Sequence, residues 1–203
     1  MVNILHLLGG TVCHQFPSRT LGGDGFLMAL CARCTGVYAG MLMVLLFLAL
    51  RRQLTTRRFA PLASYIIALL ALGGSGIDIL LAKYLAIYPS QPWLRVLTGL
   101  WSGIGRTVLC LPVFNSQLVR PRRDEPASPL TPRALLGLLL SAPLPLLLLL
   151  LPGQSAAGVL LVSAVTVGMM TAAFIYILTV IAHTLLTTVR PTLPVWPALL
   201  SGL

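Results

Sequence analysis

The chain has 203 residues and a formal charge of +10, yet only 9% of its residues are charged against 57% hydrophobic, with a mean hydropathy of +0.94. About a quarter of the residues of a soluble domain are charged, so a soluble enzyme is excluded; lipid, in contrast, solvates the apolar outside of membrane helices. The arginines lie in short clusters between apolar runs, which suits contacts with membrane lipid headgroups and argues against a nucleic-acid partner.

Residues 1–30 form an N-terminal segment that carries Cys13 and His14. Its opening, MVNILHLLGGTVCHQF, has no basic leader and places His6 in a short apolar run. It therefore reads as no signal peptide, and it falls short of the roughly 20 residues that span a bilayer. The first predicted span covers 31–50 and is stopped by Arg51 and Arg52; Arg57 and Arg58 close a basic loop. The second, 59–84, carries Asp78 and Lys83 near its far end, and GGSG at 73–76 is expected to loosen or break its helix. Two prolines in AIYPSQPW forbid its continuation.

The third span, 93–118, holds Arg95, Thr98, Ser102, Arg106, Thr107 and Asn115, and is expected to be shielded from lipid by its neighbours. The segment VRPRRDEPASPLTPR reads as a polar loop. A fourth span, 134–151, is predicted to kink at Pro143 and Pro145, and a fifth, 156–189, is ended by Arg190 and Pro191. Trp196 in the tail suits a membrane interface. Gly36-x-x-x-Gly40 and Gly99-x-x-x-Gly103 are small-residue ridges that let helices approach closely. The predicted fold class is all-α: one integral membrane bundle of about five transmembrane helices with a Cys/His-bearing N-terminal segment.

Basic residues set the orientation. Arg51, Arg52, Arg57, Arg58, Arg120, Arg122, Arg123, Arg133 and Arg190 fall on one side, and Arg19, Arg33, Lys83 and Arg95 on the other. The richer side is cytoplasmic by the positive-inside rule, which makes the N-terminal segment extracytoplasmic.

That topology gathers Cys13, His14, Cys31, Cys34, Asp78 and Arg95 in one layer near the outer interface, because Asp78 lies late in an outward-running span. Cys31-x-x-Cys34 at a helix start places two sulfurs on one face. Cys13 and His14 complete a set of three cysteines and one histidine suited to zinc, although two consecutive ligands are sterically awkward and one of them alone leaves an open fourth position. Copper and iron–sulfur centres share a taste for thiolates. The same cysteines also suit a thiol–disulfide pair whose pKa is lowered by the helix dipole and Arg33. A structural disulfide plus one buried thiol is the plain alternative.

Asp78 and Arg95 are candidate catalytic or substrate groups, or else a buried ion pair locking the second and third helices. Arg19, Arg33 and Arg106 are candidate ligand-binding cations, Arg106 toward a lipid phosphate or carboxylate. Cys110 reads as plain core, and His183 and His6 as satisfied interior residues.

With CHQFPSR at 13–19, CARCTGVYAG at 31–40, Asp78 and LRVLTGLWSG at 94–103, the chain resembles the prokaryotic membrane protein family called domain of unknown function 2085. The resemblance covers the first half of the chain. It implies that Cys13, His14, Gln15, Arg19, Cys31, Arg33, Cys34, Thr35, Gly36, Asp78, Arg95 and Gly99 are motif positions, and it supplies no activity. The expectation is a metal site, zinc foremost, at the extracytoplasmic interface, serving an enzyme on a lipid-linked or small anionic substrate. A thiol–disulfide oxidoreductase and a metal carrier or transporter are the alternatives.

Overall fold

In chain order the computed structural model contains α1 (Val2–Gly10), the hairpin β1 (Thr20–Gly23) and β2 (Phe26–Cys31), then α2 (Ala32–Leu50), α3 (Leu62–Ile79), α4 (Pro92–Leu118), α5 (Pro132–Ser141), α6 (Pro143–Leu150) and α7 (Ala156–Val189). It describes residues 2–23, 25–54, 58–89, 91–118, 128–150 and 155–189. The expected tail anchor Trp196, the stop at Arg190 and Pro191, the basic residues Arg57, Arg120, Arg122 and Arg123, and the end of the fourth span lie outside the described residues.

Among the described residues four helices are long and apolar enough to cross a bilayer: α2, α3 with its continuation to Tyr84, α4 and α7. The fourth predicted span divides at Pro143, one of its two expected kink points, into two short helices. The reason is Pro143, which has no N–H to continue α5 and so starts α6 afresh. Pro92 and Pro132 likewise open α4 and α5, and the Thr131 hydroxyl accepts the Ala134 N–H at 3.3 Å.

The GGSG segment does not break its helix: α3 runs unbroken through residues 73–76 to Ile79 and then widens into a π turn, Leu80–Tyr84. The N-terminal segment contains α1 and the hairpin. The apolar run Phe26-Leu-Met-Ala-Leu has strand character, and Gly25 adopts the left-handed φ of +77° that the tight turn demands.

Helix α4 is the central element. Of its most apolar window 61% is buried, against 22–33% in the other three long helices, in agreement with its polar content. Several of its polar groups are served within the bundle, although the buried Ser102 hydroxyl has no hydrogen-bond partner: Thr98 and Thr107 hydroxyls donate to the carbonyls of Leu94 and Gly103, each at 2.9 Å. Asn115 donates to Leu54 O at 2.9 Å and accepts from the Tyr176 hydroxyl of α7 at 2.5 Å.

The two glycine ridges meet. A β-carbon on Gly36 would strike Val96 O, one on Gly40 Leu100 O, and one on Gly103 Val37 O. Residue numbers rise together on both helices, so α2 and α4 run parallel, and their N-termini share one end of the bundle with the C-terminal end of α3. The outward faces carry exposed apolar residues such as Leu46, Leu69, Leu70, Ile175 and Leu178, as a lipid-facing surface requires.

Candidate metal centre and its cationic cleft

At that shared end three segments converge. Strand β2 delivers Cys31, the first turn of α2 delivers Arg33 and Cys34, and the loop after α1 delivers Cys13. The loop is tied down on both sides. The Cys13 N–H donates to Gly9 O at 2.9 Å, and Gln15 Nε2 donates to His6 O at 2.7 Å and Ala29 O at 2.8 Å. Gln15 itself holds a left-handed φ of +51°, a conformation that a non-glycine residue keeps only when its surroundings enforce it. A β-carbon on Gly9 would collide with Ala29 O, so this approach of α1 to β2 needs glycine there.

The sulfur atoms of Cys13, Cys31 and Cys34 all lie within 4.8 Å of one another. Thiolates bound to one zinc ion at about 2.3 Å stand about 3.8 Å apart, so a small inward shift closes this set on an ion. Cys13 is buried, and its Sγ accepts the Cys31 backbone N–H at 3.3 Å. The Cys31 and Cys34 thiols beside it, together with that N–H, hold the Cys13 thiol far below the usual thiol range against the opposing effect of burial. A soft donor set with one sulfur already favoured as thiolate fits zinc, copper(I) or an iron–sulfur centre.

His14 does not join the sulfurs. It is exposed and stacks on Phe16 at 5.9 Å between ring centroids. The expected set of three cysteines and one histidine is therefore a set of three cysteines alone, because burying the Cys13 side chain turns its neighbour outward. Among the described residues the group contains no fourth His, Cys, Asp or Glu.

The sulfurs border a cleft of about 450 Å³ that Arg19, Arg33, Lys83 and Arg95 also line. Asp78, at 3% exposure, accepts from Arg33 Nη2 on Oδ2 and from the Tyr88 hydroxyl on Oδ1 at 2.6 Å. The ion pair of Asp78 thus joins α2 to α3, where the sequence suggested a lock between Asp78 and Arg95. The carboxylate raises the Tyr88 pKa by accepting its hydrogen bond.

Tyr88 was invisible in the sequence, since only the left-handed turn at Ala86 (φ +49°) after the π turn brings it back over Asp78. Arg106 does not line the cleft; it is exposed on α4, and so is Cys110, contrary to the expectation of plain core. These residues are one turn apart and share a face that the α2 and α3 contacts leave uncovered. His183 is exposed rather than interior, because α7 presents that end outward.

The wall behind the sulfurs comes from α7. Val167 and Met170 pack with Cys13, Ala29 and Leu30, and the Ala29 N–H donates to Ser163 Oγ at 3.1 Å.

The family model of predicted membrane proteins described as domain of unknown function 2085 matches residues 13–109, from the first cysteine through most of α4. The chain is 30% identical over 110 residues to an uncharacterized protein of Methanocaldococcus jannaschii, covering 54% of this chain and 68% of that one. It is 34% identical over 98 residues to an uncharacterized protein of Methanothermobacter thermautotrophicus, covering 48% and 83%. No solved structure matches.

Proposed function

The chain belongs to the family of predicted membrane proteins known as domain of unknown function 2085, and from that premise we propose that it carries a metal ion, zinc by preference, on Cys13, Cys31 and Cys34. The observation that supports this most is the meeting of three sulfurs within 4.8 Å of one another at the mouth of a cleft lined by Arg19, Arg33, Lys83 and Arg95. A zinc ion held by three protein ligands supplies Lewis acidity at its open fourth position. The protein is then an enzyme of metal-assisted hydrolysis or transfer on a lipid-linked or small anionic substrate.

The chain's own groups have definable parts in this. Arg95, Arg19 and Lys83 draw the anion into the cleft. Asp78 positions Arg33, which sits between two of the sulfur ligands in sequence. The apolar wall of Leu30, Val167 and Met170 keeps water from the back of the sulfurs. The centre lies at the extracytoplasmic interface, a reading supported by the arginines Arg51 and Arg52 at the other end of α2.

The test is elemental analysis of protein purified in detergent, with thiol titration before and after chelation. About one metal per chain, with thiols that become titratable on chelation, is the expected result. Metal-free protein with two cysteines oxidised would overturn it in favour of a thiol–disulfide oxidoreductase.

A further inference from the structure

The cleft beside the sulfurs carries more positive charge than a metal centre needs. Four cations line it, Arg19, Arg33, Lys83 and Arg95, and Asp78 is the only acid in the lining among the described residues. Asp78 is already engaged on both oxygens, by Arg33 and Tyr88. Arg33 in addition keeps a buried Nε that has no hydrogen-bond partner, which is a donor waiting for an acceptor.

Backbone electrostatics act in the same sense. The N-termini of the parallel helices α2 and α4 both end at the cleft, and the amide ends of helices favour anions. The volume of about 450 Å³ suits a compact polar group with a few carbons attached. Val12, Phe16, Ile79 and Ala82 add an apolar border to the same lining.

From these observations we infer that the cleft binds a phosphoryl group, of the kind carried by a phosphomonoester lipid headgroup or by free phosphate. A phosphomonoester near pH 7 carries about 1.5 to 2 negative charges and three acceptor oxygens, which matches several cations better than the single charge of a carboxylate. Arginine forks suit its geometry. The inference rests on the proposed function in that the same cleft serves as the substrate site, but the charges that hold the phosphoryl group are distinct from the sulfurs that hold the metal.

The test uses the full chain in phosphatidylcholine nanodiscs, titrated with short-chain phosphatidic acid and separately with inorganic phosphate, and read by calorimetry. Saturable binding of phosphatidic acid alone identifies a lipid headgroup; binding of both identifies the phosphoryl group itself. Lys83→Gln and Arg19→Gln, both at exposed positions that folding does not depend on, are each expected to weaken binding roughly tenfold. Arg133→Gln, outside the cleft, leaves it unchanged.

Cys31→Ser separates the two readings, since it loses metal and retains phosphate binding. Absence of binding by either probe at millimolar concentration, or unchanged binding in the Lys83/Arg19 double variant, would overturn the inference even if the metal is present. Phosphate binding by a chain that purifies without metal leaves this inference standing and removes the metal centre.

Discussion

Replacing Asp78 tests whether the cleft is organised as described. The carboxylate is 3% exposed and the Arg33 side chain 26%, so the pair is shielded on one side and partly solvated on the other. Removing one partner of a buried ion pair costs about 3–5 kcal/mol, because the remaining charge is left uncompensated. Partial solvation of Arg33 places Asp78→Ala near the lower end, about 3 kcal/mol.

Asp78→Asn keeps the shape but presents a neutral acceptor to Arg33, and an amide N–H to the Tyr88 hydroxyl in place of an oxygen. Its expected cost is about 1.5–3 kcal/mol, the worth of a hydrogen bond to a charged group. Tyr88→Phe loses one hydrogen bond at a solvent-facing group and is expected to cost less than either Asp78 variant. The assay is reversible denaturation in detergent micelles, run as a double-mutant cycle with Arg33→Gln, for which a coupling of at least about 1.5 kcal/mol is expected. A loss below about 1 kcal/mol for Asp78→Ala, or a coupling near zero, would refute the claim that this pair ties α2 to α3.

His14→Ala is expected to keep full metal content, whereas Gln15→Ala, which frees the Cys13 loop from His6 O and Ala29 O, lowers metal affinity about tenfold; competition with a chromogenic chelator measures both. In reduced, metal-free protein the ultraviolet absorbance of a thiolate is expected to persist at about pH 6 and to vanish in Cys13→Ser. The sign follows from a folded pKa lying below the unfolded one: the stabilisation is present above the unfolded value and disappears as pH falls through the folded value. Gly103→Ala, which drives a β-carbon into Val37 O, is expected to destabilise by about 1–3 kcal/mol in the same denaturation assay, while Gly76→Ala meets open space and gains about 0.5–1 kcal/mol of helix propensity.

The long helices were legible because lipid imposes a length and a polarity on them, and nothing in tertiary packing overrides that signal. The cysteine triad was legible because Cys31 and Cys34 are only three residues apart and stay close whether or not both are helical; Cys31 ends β2 and Cys34 lies in the first turn of α2, and only Cys13 had to be brought there by topology. What the sequence concealed depends on single backbone choices. His14 and Cys13 compete for one position, and the left-handed Gln15 and the burial of Cys13 decide which faces the sulfurs. The partners of Asp78 were likewise hidden, since Arg33 reaches it from α2 and Tyr88 is returned to it only by the left-handed turn at Ala86. Arg106 lies on a helix whose polar residues are mostly inward, so its outward placement reflects which neighbours cover α4, a fact no periodicity encodes.

The segment beyond the family match has a part in the site as well. Helix α7 lies outside residues 13–109, yet Val167 and Met170 cover the back of Cys13, and Ser163 accepts the N–H of Ala29, two residues before Cys31. The sulfurs therefore have two unlike sides, an apolar one formed by α7 and a cationic one formed by Arg19, Arg33, Lys83 and Arg95. A dry wall raises the strength of every charge interaction on the facing side by lowering the local dielectric. Under the proposed function, an anion entering from the cationic side would meet the sulfur-bound position and the guanidinium groups together, so that binding and placement of the reacting group become the same event. The C-terminal helix thus shapes the sulfur site without supplying a cysteine to it.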